Sequence, residues 1–490
     1  MSSSIKKNII YNMLRVLSSI VFPLITFPYV ARVLQPESIG KINFSISFVS
    51  YFMLLATLGI SVYAIRECSK YRDNKEKYQQ TVNEIFSINI ITMLLSYTIL
   101  FAIIYCFNEL RNYELIILIS SISIFFTVIG TDWINTTMED FKYITVRTVF
   151  FQLVSLILMF TFVRDPSDYI VYAIILVFST SGAFLTNVLY CRKYVHIHFI
   201  LQMNFRKHLF PILSLFILQV SIIIMSNVDI TMLGLLKSDY DVGLYSVSLK
   251  VIMIVVQVVS SVTWVIYPKL SKFFAEKNYK EINSILHKAL VITITLGLPC
   301  SVGISFLSKD ILYVVGGSNY VEAYLCLVIL AIAMLFDLSL GNLWGNCVLL
   351  ASKREKIFIF ACIVGMLSNI IGNYILIPIY GIYGAATSTG LSRAIIGVIV
   401  IFKQDKNINF GINFNLFLGP IVGSVIIAFV IFLFKNISMS FIYSIICTIS
   451  CSCILYIVVL FFFKNELLLD YFFSLKNKIL VKYTRTKIDN

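Results

Sequence analysis

The sequence predicts an all-α polytopic membrane protein of about 14 transmembrane helices, with two parallel six-helix repeats forming N- and C-lobes around a central cavity, plus two extra helices. Three observations predict it. Of 490 residues, 59% are hydrophobic and 13% charged, against roughly 25% charged in soluble domains, and the mean hydropathy is +0.89. The apolar residues fall in long runs separated by short polar linkers. Lys and Arg, 39 against 25 Asp and Glu, alternate from linker to linker. A soluble fold would expose too much of this apolar surface, and disordered chains lack such aromatic and β-branched content. Nucleic acid is not an expected partner, because the +14 formal charge is spread over linkers rather than gathered in one patch.

Each bilayer crossing needs about 20 apolar residues. The first six expected spans are 9–34, 39–64, 83–106, 114–136, 145–163 and 169–190. The next six are 211–236, 242–267, 286–307, 325–350, 357–377 and 383–402, and the last two are 416–435 and 438–463. Lys6 and Lys7 precede the first run without a small-residue cleavage pattern, so it reads as an uncleaved span rather than a signal peptide. An even span number puts both ends on one side. Arg66, Lys70, Arg72, Lys142, Arg192, Lys193, Lys353, Arg354 and the basic tail then share that side, which the positive-inside rule makes cytoplasmic. The expected location is a cytoplasmic (inner) cell membrane. Residues 269–288 and 465–483 interleave lysines with Leu, Ile and Phe and read as amphipathic helices on anionic membrane lipids.

The expected domains are an N-lobe over 1–200, a C-lobe over 201–405, accessory spans over 406–463 and a basic tail over 464–490. An internal repeat underlies the lobes. Leu34–Gly40 and Lys237–Gly243 are both turns after an apolar run, each closing on an aliphatic residue and a glycine, at an offset of 203. At that offset span 2 carries a polar stripe from Asn43 through Ser47, Ser50 and Thr57, and span 8 carries one through Ser246, Lys250, Gln257 and Ser260. Steps of three and four place each stripe on one helix face.

Polar groups facing lipid are costly, so these stripes should face a bundle interior or a wet cavity. Arg15, Lys250 and Arg393 are the sharpest candidates: each lies inside an apolar run and could neutralise an anionic substrate group such as phosphate. The competing reading pairs Lys250 with Asp229, and the arginines with Asp132 or Asp337. Further cavity polar candidates are Asn12, Ser47, Asp229, Gln257, Asp337, Asn369 and Asn373. Asp229 and Asp337 would also serve as a proton or sodium site. Trp133 reads as an interfacial anchor. Pro23 and Pro28 suggest a bend, and Gly341–Gly345 and Gly419–Gly423 suggest close helix packing.

Several chemistries lack their residues. There is no Gly-Lys phosphate loop for ATP hydrolysis, no His placed mid-membrane, and no outer loop longer than about residues 308–324 to carry a polymerase site. No catalytic residue, cofactor or metal is expected. The ten cysteines lie mostly in apolar runs and read as small hydrophobes.

Four patterns resemble one family. They are Phe27-Pro28-Tyr29-Val30-Ala31-Arg32 with Ile39-Gly40; Asn227-Val228-Asp229 through Gly234 and Val242-Gly243-Leu244-Tyr245 to Lys250; Asp132-Trp133 with Met138-Glu139; and Asn369, Asn373 and Ile377-Pro378 leading to Gly381 and Gly384. In order and spacing, over roughly residues 8–402, they resemble the Wzx-type polysaccharide flippases of the multidrug/oligosaccharidyl-lipid/polysaccharide exporter superfamily. The resemblance implies two bundles around a cationic cavity working by alternating access. The implied substrate is a polyprenyl-diphosphate-linked oligosaccharide, moved from the inner to the outer leaflet for capsule, O-antigen (lipopolysaccharide) or exopolysaccharide biosynthesis. Arg15 and Lys250 would contact its diphosphate or an acidic sugar. Implied partners are a polysaccharide polymerase and chain-length proteins. Alternatives are a peptidoglycan-precursor flippase, a cation-coupled multidrug exporter or, in a different class, a membrane glycan polymerase or glycosyltransferase. The multidrug branch usually has twelve spans, so spans 13 and 14 depart from it.

Overall fold

The computed structural model describes residues 2–201, 204–411, 413–437, 440–466 and 468. Every regular element among them is helical. In chain order these are α1 (Ser2–Thr57), α2 (Ile60–Cys68), α3 (Lys75–Cys106), α4 (Glu114–Gly130), α5 (Trp133–Thr137), α6 (Phe141–Phe162), α7 (Tyr169–Tyr190) and α8 (Phe205–Leu236). There follow α9 (Asp239–Ala275), α10 (Tyr279–Phe306), α11 (Ser308–Gly316), α12 (Tyr324–Phe336), α13 (Glu355–Tyr380), α14 (Ile382–Phe402), α15 (Phe414–Lys435) and α16 (Phe441–Phe462). Side-chain caps start several of the long helices at the basic-linker end. The Asn74, Asp140 and Asn278 side chains accept from the Lys77, Tyr143 and Glu281 amides at 3.1, 3.3 and 3.3 Å, satisfying donors that a helix start leaves open.

Among the described residues, thirteen helical segments are long and apolar enough to cross a membrane. The first, Ile10–Tyr71, holds two of the expected spans. Its dihedrals stay helical at Pro23 and Pro28 and break at Gln35 (φ 63°, ψ 168°), just before Pro36. The chain reverses there. Tyr29 and Ser38, on either side of the break, donate to the Val163 and Pro166 carbonyls beyond one end of α6, at 2.8 and 2.9 Å. At the other end of α6, Thr145 donates to the Tyr11 carbonyl at 2.8 Å. The fourteen-span reading therefore stands with spans 1 and 2 counted apart.

The chain forms two compact units. The first comprises Met1–Val247 with Val314–Tyr320 and Ile370–Ala385; the second comprises Ser248–Tyr313, Val321–Asn369 and Ala386–Asn490. In the first unit, the offset of 203 appears as a reciprocal contact. A Cβ on Gly40 would collide with the Asp239 carbonyl, and a Cβ on Gly243 would collide with the Pro36 carbonyl. Pro36 and Asp239 are themselves 203 apart, so the two turns pack on each other with local two-fold symmetry. Only glycine permits this approach. The short segments join this unit through polar contacts: Arg32 donates to the Val314 carbonyl at 2.6 Å, Asn319 to Gln35 Oε1 at 2.7 Å and Lys237 to the Pro378 carbonyl at 2.9 Å.

In the second unit α10 packs on α12 and α15, and α15 on α16. The Tyr456 hydroxyl donates to the Thr295 carbonyl at 2.7 Å. Gly419 and Gly423 leave room for the Phe463 and Tyr456 side chains, so this glycine pair does mark close helix packing. The accessory spans thus belong to the second unit's packing.

Two sequence expectations need correction. Residues 269–288 do not form one surface helix. Helix α9 ends at Ala275, Lys277 turns with φ 53° and Asn278 caps α10. Leu270, Ile282 and Leu286 are each 0% exposed, so these apolar residues fill protein core rather than lipid. Trp133 is no interfacial anchor either: it is 5% exposed and packs in a core cluster with Tyr63, Ile134 and Val195. The expected amphipathic tail over 465–483 falls almost entirely outside the described residues.

Candidate functional site

A cavity of about 520 Å³ opens inside the first unit, walled by α1, α6, α7 and the α4–α5 junction. Arg15, Asp132 and Arg147 line it, with Gln152 and Thr180 among its other polar walls. Two arginines and one aspartate leave a formal charge of 2 − 1 = +1. Helix α4 ends at Gly130, and Thr131 takes a left-handed conformation (φ 43°) that swings Asp132 back toward α6. One oxygen of that carboxylate, Oδ1, receives Arg147 Nη2.

Arg147 is the most constrained cation here. Its side chain is 4% exposed, whereas that of Asp132 is 29% exposed. Its guanidinium lies 5.2 Å from the Tyr143 ring centroid and 5.8 Å from that of Phe184, close enough for cation–π attraction. Its Nε and Nη1 are buried without a hydrogen-bond partner, as is Nε of Arg15. Arg15 Nη2 donates to Asn12 Oδ1 at 3.0 Å. Burying a guanidinium costs several kcal/mol unless its donors are met. Native structures leave few buried donors open, and at this site three guanidinium nitrogens are left so, Nε of Arg15 and Nε and Nη1 of Arg147.

The other expected residues gather in smaller groups. Asp229, 4% exposed, accepts from the Tyr245 hydroxyl at 2.6 Å and from Asn373 Nδ2 at 2.7 Å. Asn373 is 0% exposed, and its Oδ1 has no partner. Nearby on α1, Ser47 donates to the Asn227 carbonyl at 2.8 Å and lies 2.7 Å from the Thr231 hydroxyl. All of these belong to the first unit. In the second, Arg393 Nη1 donates to Asp337 Oδ1 at 3.0 Å, which bears out the pairing of Arg393 with Asp337. Asp337 opens a π-helical stretch, Asp337–Leu349, a distortion often found at functional positions. Asn369 reaches Ser388 and Thr389 at 3.4 Å. Lys250 and Gln257 lie on α9, the first half-buried and the second exposed. Among the described residues, no group of three His, Cys, Asp or Glu is placed to hold a metal ion.

Comparison with known proteins identifies the chain. A family profile described as "Polysaccharide biosynthesis protein" matches residues 5–274, which is 274 − 5 + 1 = 270 of the 490 residues. The chain belongs to this polysaccharide biosynthesis protein family. A second profile, MatE, matches residues 212–375. A relative is "Capsular polysaccharide biosynthesis protein CapF" of Staphylococcus aureus, 24% identical over 387 residues, covering 76% of this chain and 93% of that protein. Among solved structures, "Lipid II flippase MurJ, inward closed conformation" superposes with a TM-score of 0.77 at 18% identity, covering 94% of this chain and 100% of that one. An inward-facing MATE-family multidrug resistance transporter of the MOP superfamily gives 0.57 at 13% identity, over 80% and 96%. At such identities the structures show the shared fold.

Two buried features of this family member were not singled out from sequence. Arg147 is the third residue of the expected span 145–163, where an arginine can snorkel to the surface; only the backward swing of Asp132 shows that it points inward. The second is a network at the basic-linker end. His208 Nε2 lies 2.7 Å from Glu84 Oε2, and its Nδ1 lies 2.7 Å from the Tyr63 hydroxyl. The three residues are 0, 5 and 2% exposed. Beside it the 191–210 linker docks on α3: the His196, His198 and Ile200 amides donate to the side chains of Gln79, Asn83 and Ser87 at 3.0, 3.2 and 2.8 Å. Those acceptors are spaced one helical turn apart, a signal that becomes readable once an extended partner is known.

Proposed function

We propose that this protein is a flippase. In this reading it carries a polyprenyl-diphosphate-linked oligosaccharide from the cytoplasmic to the outer leaflet of the cytoplasmic membrane by alternating access, supplying a surface polysaccharide. The observation that carries the reading is the first unit's cavity, with its net positive charge and unsatisfied guanidinium donors on Arg15 and Arg147. A diphosphate supplies the anionic oxygens those donors lack. The family assignment and the capsular polysaccharide relative support a surface glycan as the cargo.

The two lobes of this proposal divide the work. The N-lobe, near residues 1–200, holds the diphosphate on Arg15 and Arg147. The cations of the C-lobe are Lys250 and Arg393, the latter restrained by Asp337. Asp229, beside the open Oδ1 of Asn373, offers oxygen donors to a coupling proton or sodium ion. Both termini lie in the cytoplasm, following the basic linkers.

A peptidoglycan-precursor flippase is the second reading, favoured by the MurJ superposition. Deleting the gene separates the two. Loss of surface glycan in a viable strain, restored by the wild-type gene and not by the Arg15→Gln, Arg147→Gln double variant, is the expected result. Lethality of the deletion with arrested cell-wall synthesis would select the peptidoglycan reading.

A further inference from the structure

Beside the cationic cavity lies a second recess. A cavity of about 230 Å³ lies between α1, α4 and α7, lined by Ile46, Val49, Met53, Ala173 and Val177 with a few hydroxyl residues. Leu176 and Thr180 line both cavities, so the two share a wall on α7. Along α7 the cationic cavity is lined as far as Phe184, by way of Ala183 ten residues from Ala173, which the apolar recess reaches. At 1.5 Å per residue that spans about 15 Å.

Three of the four hydroxyls that line this second recess are satisfied by their own helices, Ser120 being the fourth. Ser50 donates to the Ser47 carbonyl at 2.6 Å, Ser123 to the Ser120 carbonyl at 2.6 Å and Thr180 to the Leu176 carbonyl at 2.9 Å. Each of these three is turned back onto its own helix, and apart from Ser120 the surface left is apolar. A trough with unsatisfied cationic donors at one end and a self-satisfied apolar wall at the other matches one kind of molecule: an anion joined to a hydrocarbon chain.

We infer that this recess is the binding subsite for the diphosphate-proximal part of the polyprenyl chain. This rests on the proposed function. It adds that the first unit holds carrier lipid as well as phosphate, with the chain running along α7 away from the Arg15–Arg147 end. At about 230 Å³ the recess has room for a short length of one chain. A diacyl phospholipid presents two chains on a glycerol and fits poorly, although it shares the chemistry of an anionic amphiphile.

The test uses full-length protein in nanodiscs and three probes: inorganic pyrophosphate, farnesyl diphosphate and phosphatidylglycerol. The wild type should bind farnesyl diphosphate about tenfold more tightly than pyrophosphate or better, because the recess removes prenyl surface from water. Val177→Phe or Ser123→Leu, filling the recess from α7 or α4, should erase most of that ratio and leave pyrophosphate affinity unchanged. Arg147→Gln should weaken both diphosphates together. A benzophenone-bearing farnesyl diphosphate should label α4 and α7 in the wild type, a readout that needs no variant to fold. An unchanged ratio in both filling variants, labelling elsewhere, or equal competition by phosphatidylglycerol overturns the subsite. Failure of Arg147→Gln to weaken pyrophosphate overturns instead the cationic reading beneath it, so the two failures are distinguishable.

Discussion

Replacing Arg147 with Gln should abolish export while leaving a folded protein. The guanidinium has two buried donors, Nε and Nη1, without a protein partner. A charge-assisted hydrogen bond is worth about 1.5–3 kcal/mol. Two made to a diphosphate therefore amount to about 3–6 kcal/mol, or roughly 10²–10⁴ in affinity at 1.4 kcal/mol per tenfold. The stability cost is smaller. The Asp132 side chain left behind is 29% exposed and water can solvate it, so losing the pair should cost about 1 kcal/mol. Arg147→Lys keeps the charge but loses the fork and should fall between. Asp132→Asn raises the site's formal charge from +1 to +2, so it should bind pyrophosphate at least as tightly as the wild type. The assays are surface glycan in a deletion strain, membrane protein level by immunoblot and pyrophosphate affinity of purified protein. Wild-type glycan and unchanged pyrophosphate affinity in Arg147→Gln would refute the reasoning.

Three further outcomes follow from the packing and electrostatics. Gly40→Ala and Gly243→Ala each place a methyl against the other repeat's backbone carbonyl; each should lower stability by about 1–3 kcal/mol, read as a lower melting temperature and a broadened size-exclusion peak. His208→Phe strips Glu84 of a buried hydrogen-bond partner and should cost about 1–3 kcal/mol, whereas the Glu84→Gln, His208→Phe double variant should recover part of that loss. Burial would raise the Asp140 carboxyl, but donation from the Tyr190 and Tyr194 hydroxyls at 2.6 and 2.7 Å outweighs it and holds the group below its ordinary 3.8. A depressed folded value means stability that is present above the unfolded value and lost as pH falls through the folded one. Melting temperature between pH 5 and 3 should therefore fall less steeply in Asp140→Asn than in the wild type.

The span pattern was readable because a bilayer demands a fixed apolar length, and the repeat because its turn glycines sit at one offset. The structure gives that offset its physical cause, since Gly40 and Gly243 touch each other's repeat. Residues 269–288 misled because basic residues interleaved with Leu and Ile look the same on a leaflet as at the ends of two packed helices; the Asn278 cap and the turn at Lys277 decide between them. At the candidate site, Arg15 with Asn12 and Asp229 with Asn373 were visible as polar groups in apolar runs. Arg147 was not, because its meaning depends on a left-handed Thr131 that no periodicity reveals. His208 sat beside a linker in the sequence, and its 0% exposure comes from contacts with Glu84 and Tyr63, more than 120 positions away along the chain.

The most direct test of the central claim is leaflet-specific detection of a polyprenyl-diphosphate oligosaccharide in proteoliposomes. The purified protein is reconstituted, the lipid-linked glycan is placed in one leaflet, and its arrival in the other is followed with a membrane-impermeant lectin. The wild type should transfer the glycan faster than protein-free vesicles, and the Arg15→Gln, Arg147→Gln double variant, reconstituted to the same density, should fall to the protein-free rate. Equal transfer by the double variant and the wild type would contradict the account.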